Sequence, residues 1–283
     1  MSEVRIISVL GAGTMGHGIA HAAAACGYET RLFDPSPEAL AKASQQIEGI
    51  LAKAVDLGKT TAAEADAARA RLTTSTEVWT AVAGADFVIE AAPERVDLKL
   101  ALMGEVERHV PKHAVIATNT SALSITEIAG SLADPSRVAG MHFFNPVHKM
   151  KLVEIVRALE SSEAALATVE SVARRMGKET VLVRESPGFI TSRVNASIGN
   201  EAFYMLMEGV ASARDIDKAL KLGLNHPMGP FELVDLVGLD TRLSILEYLH
   251  RSLGEKYRPC PLLAQYVRAG RLGRKVGRGV YEY

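Results

Sequence analysis

A chain of 283 residues with 48% hydrophobic and 23% charged residues and a formal net charge of −1 has the make-up of a soluble globular protein, with core enough for one large or two modest domains. That balance offers no basic excess for a nucleic acid, and no apolar run approaches the roughly 20 residues of a membrane helix. The strand-like run from Val4 leaves no room for a secretory signal, and Cys26 and Cys260 form neither a CxxC nor a cluster, so the expected location is the cytoplasm and no metal is expected.

Short β-rich runs at residues 4–10, 29–33, 87–91, 114–118 and 138–143 alternate with helix-compatible stretches, which predicts an α/β fold with a doubly wound parallel sheet. Residues 152–156 and 180–183 read as further strands near its edge. The first run leads into Gly11-Ala12-Gly13-Thr14-Met15-Gly16 and then a helix, the context of a Rossmann-type dinucleotide turn. Gly11 permits the tight turn, Gly13 lets the backbone approach a pyrophosphate, and Gly16 lets the helix sit close; the N–H groups and helix dipole favour the phosphates. Asp34 ends the next strand about 20 residues on, where a carboxylate accepts both ribose hydroxyls and repels a 2′-phosphate, so NAD is predicted rather than NADP. Capping a helix before Pro35 is the other use for that side chain.

The next stretch is much longer than one crossover helix needs, and its Ala, Lys and Glu content predicts a projecting helical hairpin over 37–71, with helices at 37–57 and 62–71. Asn119-Thr120-Ser121 directly follows a strand and should lie on the functional rim of the sheet, where Ser121 could bond a reacting oxygen and Asn119 could orient substrate or cofactor; for a lone Asn-Thr-Ser, capping the next helix is the favoured use. His142 lies at the end of the strand 138–143, twelve residues before Glu154. If those two runs are neighbours across the turn at 146–150, the carboxylate faces the imidazole, fixes its tautomer and stabilises the cation formed when it takes a proton. A buried structural pair is the alternative. Beyond residue 187 strand signals fade, and 192–209, 213–222, 231–253 and 262–269 read as helices, giving a sheet domain at 1–186 and a helical domain at 187–283.

Taken together, Gly11 to Gly16, Glu94 with Lys99, Asn119-Thr120-Ser121, the run from His142 to Glu154, Pro187-Gly188-Phe189 and Asn225-His226-Pro227-Met228-Gly229-Pro230 resemble the L-3-hydroxyacyl-CoA dehydrogenase family, including its bacterial 3-hydroxybutyryl-CoA dehydrogenases, over essentially the whole chain. The resemblance implies reversible NAD-dependent oxidation of a short-chain L-3-hydroxyacyl-CoA. It implies His142 as base, Glu154 as its partner, Ser121 and Asn145 near the substrate oxygen or nicotinamide, and Glu94 and Lys99 by the nicotinamide half of the cofactor. It further implies an all-α C-terminal domain that forms a homodimer, for which the apolar stretch 231–249 is the expected interface. The hairpin resembles the family's CoA-binding element, so Lys53 and Lys59 are candidate phosphate contacts, although solvated lysines read the same way. Ser192 departs from the pattern, which commonly has Asn there; a serine reaches less far, so this substrate contact is expected to be weaker or bridged by water. A dehydrogenase of a free hydroxy or sugar acid and a non-catalytic NAD-binding protein compete with this reading, and CoA-dependent turnover separates all three.

Overall fold

The computed structural model describes residues 3–283, and the chain divides into two compact units, one running to Glu185 and the other spanning Ser186–Tyr283. The first unit runs β1 (Ile6–Leu10), α1 (Gly16–Ala25), β2 (Glu29–Phe33), α2 (Pro37–Asp56), α3 (Ala62–Ala70), β3 (Leu72–Ser75), α4 (Val78–Val82), β4 (Phe87–Glu90), α5 (Val96–His109), β5 (Val115–Thr118), α6 (Ile125–Gly130), β6 (Val138–Phe143), β7 (Leu152–Arg157), α7 (Glu163–Arg175) and β8 (Glu179–Arg184). Its eight strands form one sheet in the order β3-β2-β1-β4-β5-β6-β7-β8, in which only the β6–β7 pair is antiparallel. This is a Rossmann-type, doubly wound arrangement. Parallel strands put their C-terminal ends on one rim, so the loops after β1, β2, β4, β5 and β6 share an edge of the sheet.

Period-2 alternation sorts the strand side chains. Ile7, Val9, Phe87, Ile89, Val115, Ala117, Met141 and Phe143 join α1, α2, α3 and α7 in one apolar core. The intervening residues turn to the other face, where Ser8 bonds the Ala81 carbonyl of α4 at 2.5 Å and Glu90 meets Lys99 of α5 at 2.6 Å. Glu90 pairs in register with Thr118, and His142 with Glu154, so four polar side chains share the face that the main apolar core does not use.

The helical hairpin lies where its composition predicts it, with α2 capped by Ser36 and α3 by Thr61 in a capping box with Glu64. Strand β3 is an addition. Its Leu-Thr-Thr-Ser carries a single large apolar residue because it pairs only with β2 at the sheet edge.

The second unit is helical: α8 (Thr191–Met207), α9 (Ala213–Gly223), α10 (Pro230–Val237), α11 (Leu239–Leu253) and α12 (Pro261–Arg268). One difference from the sequence reading stands out. The predicted helix 231–253 is two helices, because Gly238 at φ 108° takes a conformation closed to other residues and ends α10. Within the stretch 231–249, Phe231, Leu239, Leu246 and Leu249 are fully buried in this unit's core. Exposed apolar side chains lie at Val194, Met207, Val210, Leu222 and Leu224 and, within the stretch 231–249, at Leu236 and Val237.

Candidate active site

At the end of β1 the chain turns through Gly11, whose φ of 106° and whose would-be Cβ, 2.7 Å from the Ala91 carbonyl, admit only glycine. A side chain at Gly16 would run into the Gly11 carbonyl, so α1 packs on the turn itself, whereas a side chain at Gly13 would meet nothing within 4 Å. The turn is therefore closed behind and open in front. Helix α1 has Met15 at its N-cap, with no side-chain cap and no acidic residue in its first turn, leaving its N–H groups and positive dipole end to an outside anion; α2, α3, α6 and α7 are each capped by a Ser or Thr. Thr14 is exposed on the same turn. Asp34 at the end of β2 accepts the Ala12 N–H at 2.9 Å and the Ser36 N–H at 3.0 Å, one on each oxygen. Each oxygen keeps acceptor capacity for a ribose hydroxyl. The cap of α2 is Ser36, so that alternative use of Asp34 is already filled. These residues fit a dinucleotide: the turn would hold the pyrophosphate and Asp34 the ribose.

The next two rim segments are tied by carboxylates. Glu94, after β4, accepts at Oε1 from the Thr120 hydroxyl at 2.6 Å, the Ser121 N–H at 2.8 Å and the Ala122 N–H at 3.2 Å. It thus shapes the turn that carries Asn119, Thr120 and Ser121. Ser121 is half-buried and does not cap α6, a task met by Ser124. Asn119 is turned inward: its Oδ1 accepts the Phe143 N–H at 2.8 Å, fastening β5 to β6 beside His142 and leaving both amide N–H groups for a ligand. Lys99 is fully enclosed, with its ammonium 2.6 Å from Glu90 and 3.1 Å from the Ala92 carbonyl. Composition and spacing did not single out Glu90 or Thr118. The available signal was a carboxylate ending the buried run Phe-Val-Ile-Glu, with a lysine nine residues on.

Register places His142 opposite Glu154, and Nδ1 lies 2.7 Å from Glu154 Oε2. The carboxylate only accepts, so Nδ1 is the protonated nitrogen and Nε2 is the basic atom of the neutral ring. His142 is 5% exposed and Glu154 fully buried, while the Phe144 ring packs on the imidazole with centroids 4.6 Å apart. Asn145 is exposed just beyond, on the loop that leaves the strand. Lys53 is exposed in the last turn of α2 and Lys59 in the connection that follows it, and Ser192 is half-buried in the first turn of α8 in the helical unit. The arrangement can bind an anionic dinucleotide and, on the same rim, accept a proton at a buried, carboxylate-backed imidazole.

Residues 6–186 match the family model described as 3-hydroxyacyl-CoA dehydrogenase, NAD binding domain, and residues 188–283 match 3-hydroxyacyl-CoA dehydrogenase, C-terminal domain. The chain is 47% identical over 282 residues to the probable 3-hydroxybutyryl-CoA dehydrogenase of Bacillus subtilis, covering 99% of this chain and 98% of that one. Against the 3-hydroxybutyryl-CoA dehydrogenase of Bradyrhizobium diazoefficiens it is 41% identical over 281 residues, covering 99% and 96% of the two chains. The crystal structure of (S)-3-hydroxybutyryl-CoA dehydrogenase from Ralstonia eutropha matches with a TM-score of 0.96 at 42% identity and 99% coverage of each chain. On these matches, which span both units, the chain belongs to the 3-hydroxyacyl-CoA dehydrogenase family.

Proposed function

We propose that this NAD-dependent dehydrogenase interconverts short-chain L-3-hydroxyacyl-CoA and 3-ketoacyl-CoA, with 3-hydroxybutyryl-CoA as the expected substrate and His142 as the proton acceptor. The observation that carries the chemistry is the 2.7 Å contact of Glu154 with His142 Nδ1 on the rim that holds the dinucleotide turn. When bound, the nicotinamide supplies the hydride acceptor. His142 Nε2 takes the hydroxyl proton, and Glu154 stabilises the imidazolium that results. Ser121 donates a hydrogen bond to the reacting oxygen, held in place by Glu94 through the turn's backbone. Asn145 borders the same oxygen or the nicotinamide. Burial of the pair keeps water from competing for the proton.

Lys53 and Lys59 are proposed to meet the CoA phosphates, as exposed cations on the helical hairpin. A homodimer through the helical unit is proposed from its exposed Val194, Met207, Val210, Leu222 and Leu224, and sedimentation as a monomer at micromolar concentration contradicts it. Two free cysteines accord with a cytoplasmic location. No helix among the described residues is long and apolar enough to cross a membrane.

The deciding experiment follows NADH formation with L-3-hydroxyacyl-CoAs of increasing chain length beside the corresponding free acids. Turnover restricted to the CoA esters, greatest at short chains, is expected. Equal turnover of the free acids points to a hydroxy-acid dehydrogenase, and NAD binding without turnover to a non-catalytic binder. The same assay with NADP should give an efficiency at least ~10-fold lower, because a 2′-phosphate would crowd Asp34; equal efficiencies remove Asp34 as the discriminating group.

A further inference from the structure

We infer that Glu90 is a positioning residue for this reaction: by neutralising Lys99 inside the sheet unit, it keeps Glu94 on the turn that presents Ser121. The inference rests on the reading of Ser121 as a substrate contact. One ammonium stands between two carboxylates, with Lys99 Nζ 2.6 Å from Glu90 Oε1 and 3.7 Å from Glu94 Oε2. The side chains of Lys99 and Glu90 are both 0% exposed, whereas that of Glu94 is 41% exposed. Glu90 is further fixed by the Ala92 N–H at 2.6 Å and the Thr118 hydroxyl at 2.6 Å, and its main-chain carbonyl accepts the Asn119 N–H at 2.7 Å. Every donor around this carboxylate therefore belongs to the rim of β4 and β5 or to α5.

Attraction between opposite charges is weakly screened in such an enclosed place, and an ammonium without its near partner pulls on the next carboxylate. That carboxylate is Glu94, whose Oε1 holds the Thr120 hydroxyl and the Ser121 and Ala122 amides. Drawn toward Lys99, it would release those three donors and with them the position of Ser121. Glu90 touches no reacting atom; it acts through Lys99 and Glu94.

The test compares the wild type with Glu90→Gln, Glu90→Asp and the double variant Glu90→Gln/Lys99→Met. It reads amide hydrogen exchange at Ser121 and Ala122 in cofactor-free protein, NADH affinity by fluorescence, and kcat with L-3-hydroxybutyryl-CoA. Glutamine keeps the shape and most of the hydrogen bonds but not the charge. For Glu90→Gln the two amides should exchange about 10-fold faster and kcat should fall about 10-fold, with the NADH Kd moving less than about 3-fold. Glu90→Asp, with the charge kept at shorter reach, should fall between it and the wild type. In the double variant no ammonium remains to draw Glu94, and amide protection should return to within about 3-fold of the wild type. A lower Tm in Glu90→Gln with unchanged exchange and unchanged kcat makes Glu90 a purely structural group and overturns the inference. Should that variant not fold, wild-type exchange at both amides in Glu90→Asp overturns it equally. A wild-type protein that binds NADH but turns over no 3-hydroxyacyl-CoA refutes the proposed reaction instead, while the exchange rates still judge Glu90.

Discussion

His142 and His21 belong to the same sheet unit and are both mostly shielded from water, yet their neighbours carry opposite charge. His142 has Glu154 at 2.7 Å. His21, on α1, has His17 one helical turn before it, the His148 ring edge-on with centroids 6.3 Å apart, and Lys178 nearby. Its Nδ1 is buried with no hydrogen-bond partner among the described residues. Burial first, and then His148, His17 and Lys178, push the His21 pKa down to about 4. A proton arriving at His142 meets a carboxylate, while one arriving at His21 meets the Lys178 ammonium and two more imidazoles that could take protons themselves. Burial alone disfavours a protonated imidazole; the proposed base His142 has a carboxylate to offset that cost, and His21 has none.

The most severe way to break this contrast is His142→Gln. Losing a positioned base should lower kcat by ~10²-fold or more, with NADH affinity within about 3-fold of normal, as read by steady-state oxidation and fluorescence titration. Near-normal turnover in the folded variant removes His142 from the chemistry. If Tm and NADH binding fall together instead, the His142–Glu154 pair is structural. A milder change is Glu154→Gln, which leaves a hydrogen bond to Nδ1 but takes away the charge that distinguishes His142 from His21. The expected loss in kcat is about 10-fold, since a neutral amide cannot offset the imidazolium. An unchanged kcat would show that the sign of the neighbouring charge is not what matters.

The His142–Glu154 pair was legible because it is a product of strand register. Two short apolar runs joined by a tight turn pair antiparallel, and a spacing of twelve then brings the two side chains onto one face. The dinucleotide turn and the helical hairpin were readable for a similar reason, as both rest on local sequence. What escaped notice depends on distant partners. Glu90 and Thr118 are 28 residues apart and meet only because β4 and β5 are neighbours in the sheet. The inward use of Asn119 needs the end of β6, 24 residues away. Strand β3 was hidden by its polar edge position, and the break at Gly238 by apolar residues on both sides of it.

The smallest expected effect concerns the other histidine and is a change in stability with pH. The folded protein holds His21 neutral down to a pKa of about 4, whereas an unfolded chain protonates it near the ordinary imidazole value of 6.5. The unfolded state therefore binds the extra proton between those values. Any stability tied to the neutral ring is fully present above pH 6.5 and drains away as the pH falls toward 4. At pH 5 the loss relative to pH 8 is on the order of 2 kcal/mol, an upper figure that translates into several degrees of Tm for a unit of this size. His148 contributes in the same direction: burial, Lys149, Lys178, His17 and Lys59 all lower its pKa. The two effects are separated by comparing the wild type with His21→Gln at each pH, since glutamine has similar bulk and takes no proton. The difference in Tm should shift in favour of the variant by several degrees on going from pH 8 to pH 5, as followed by circular dichroism. A difference that stays constant across that range would mean that His21 gains its proton as easily in the folded chain as outside it, and that burial and the basic groups around it leave its protonation undisturbed.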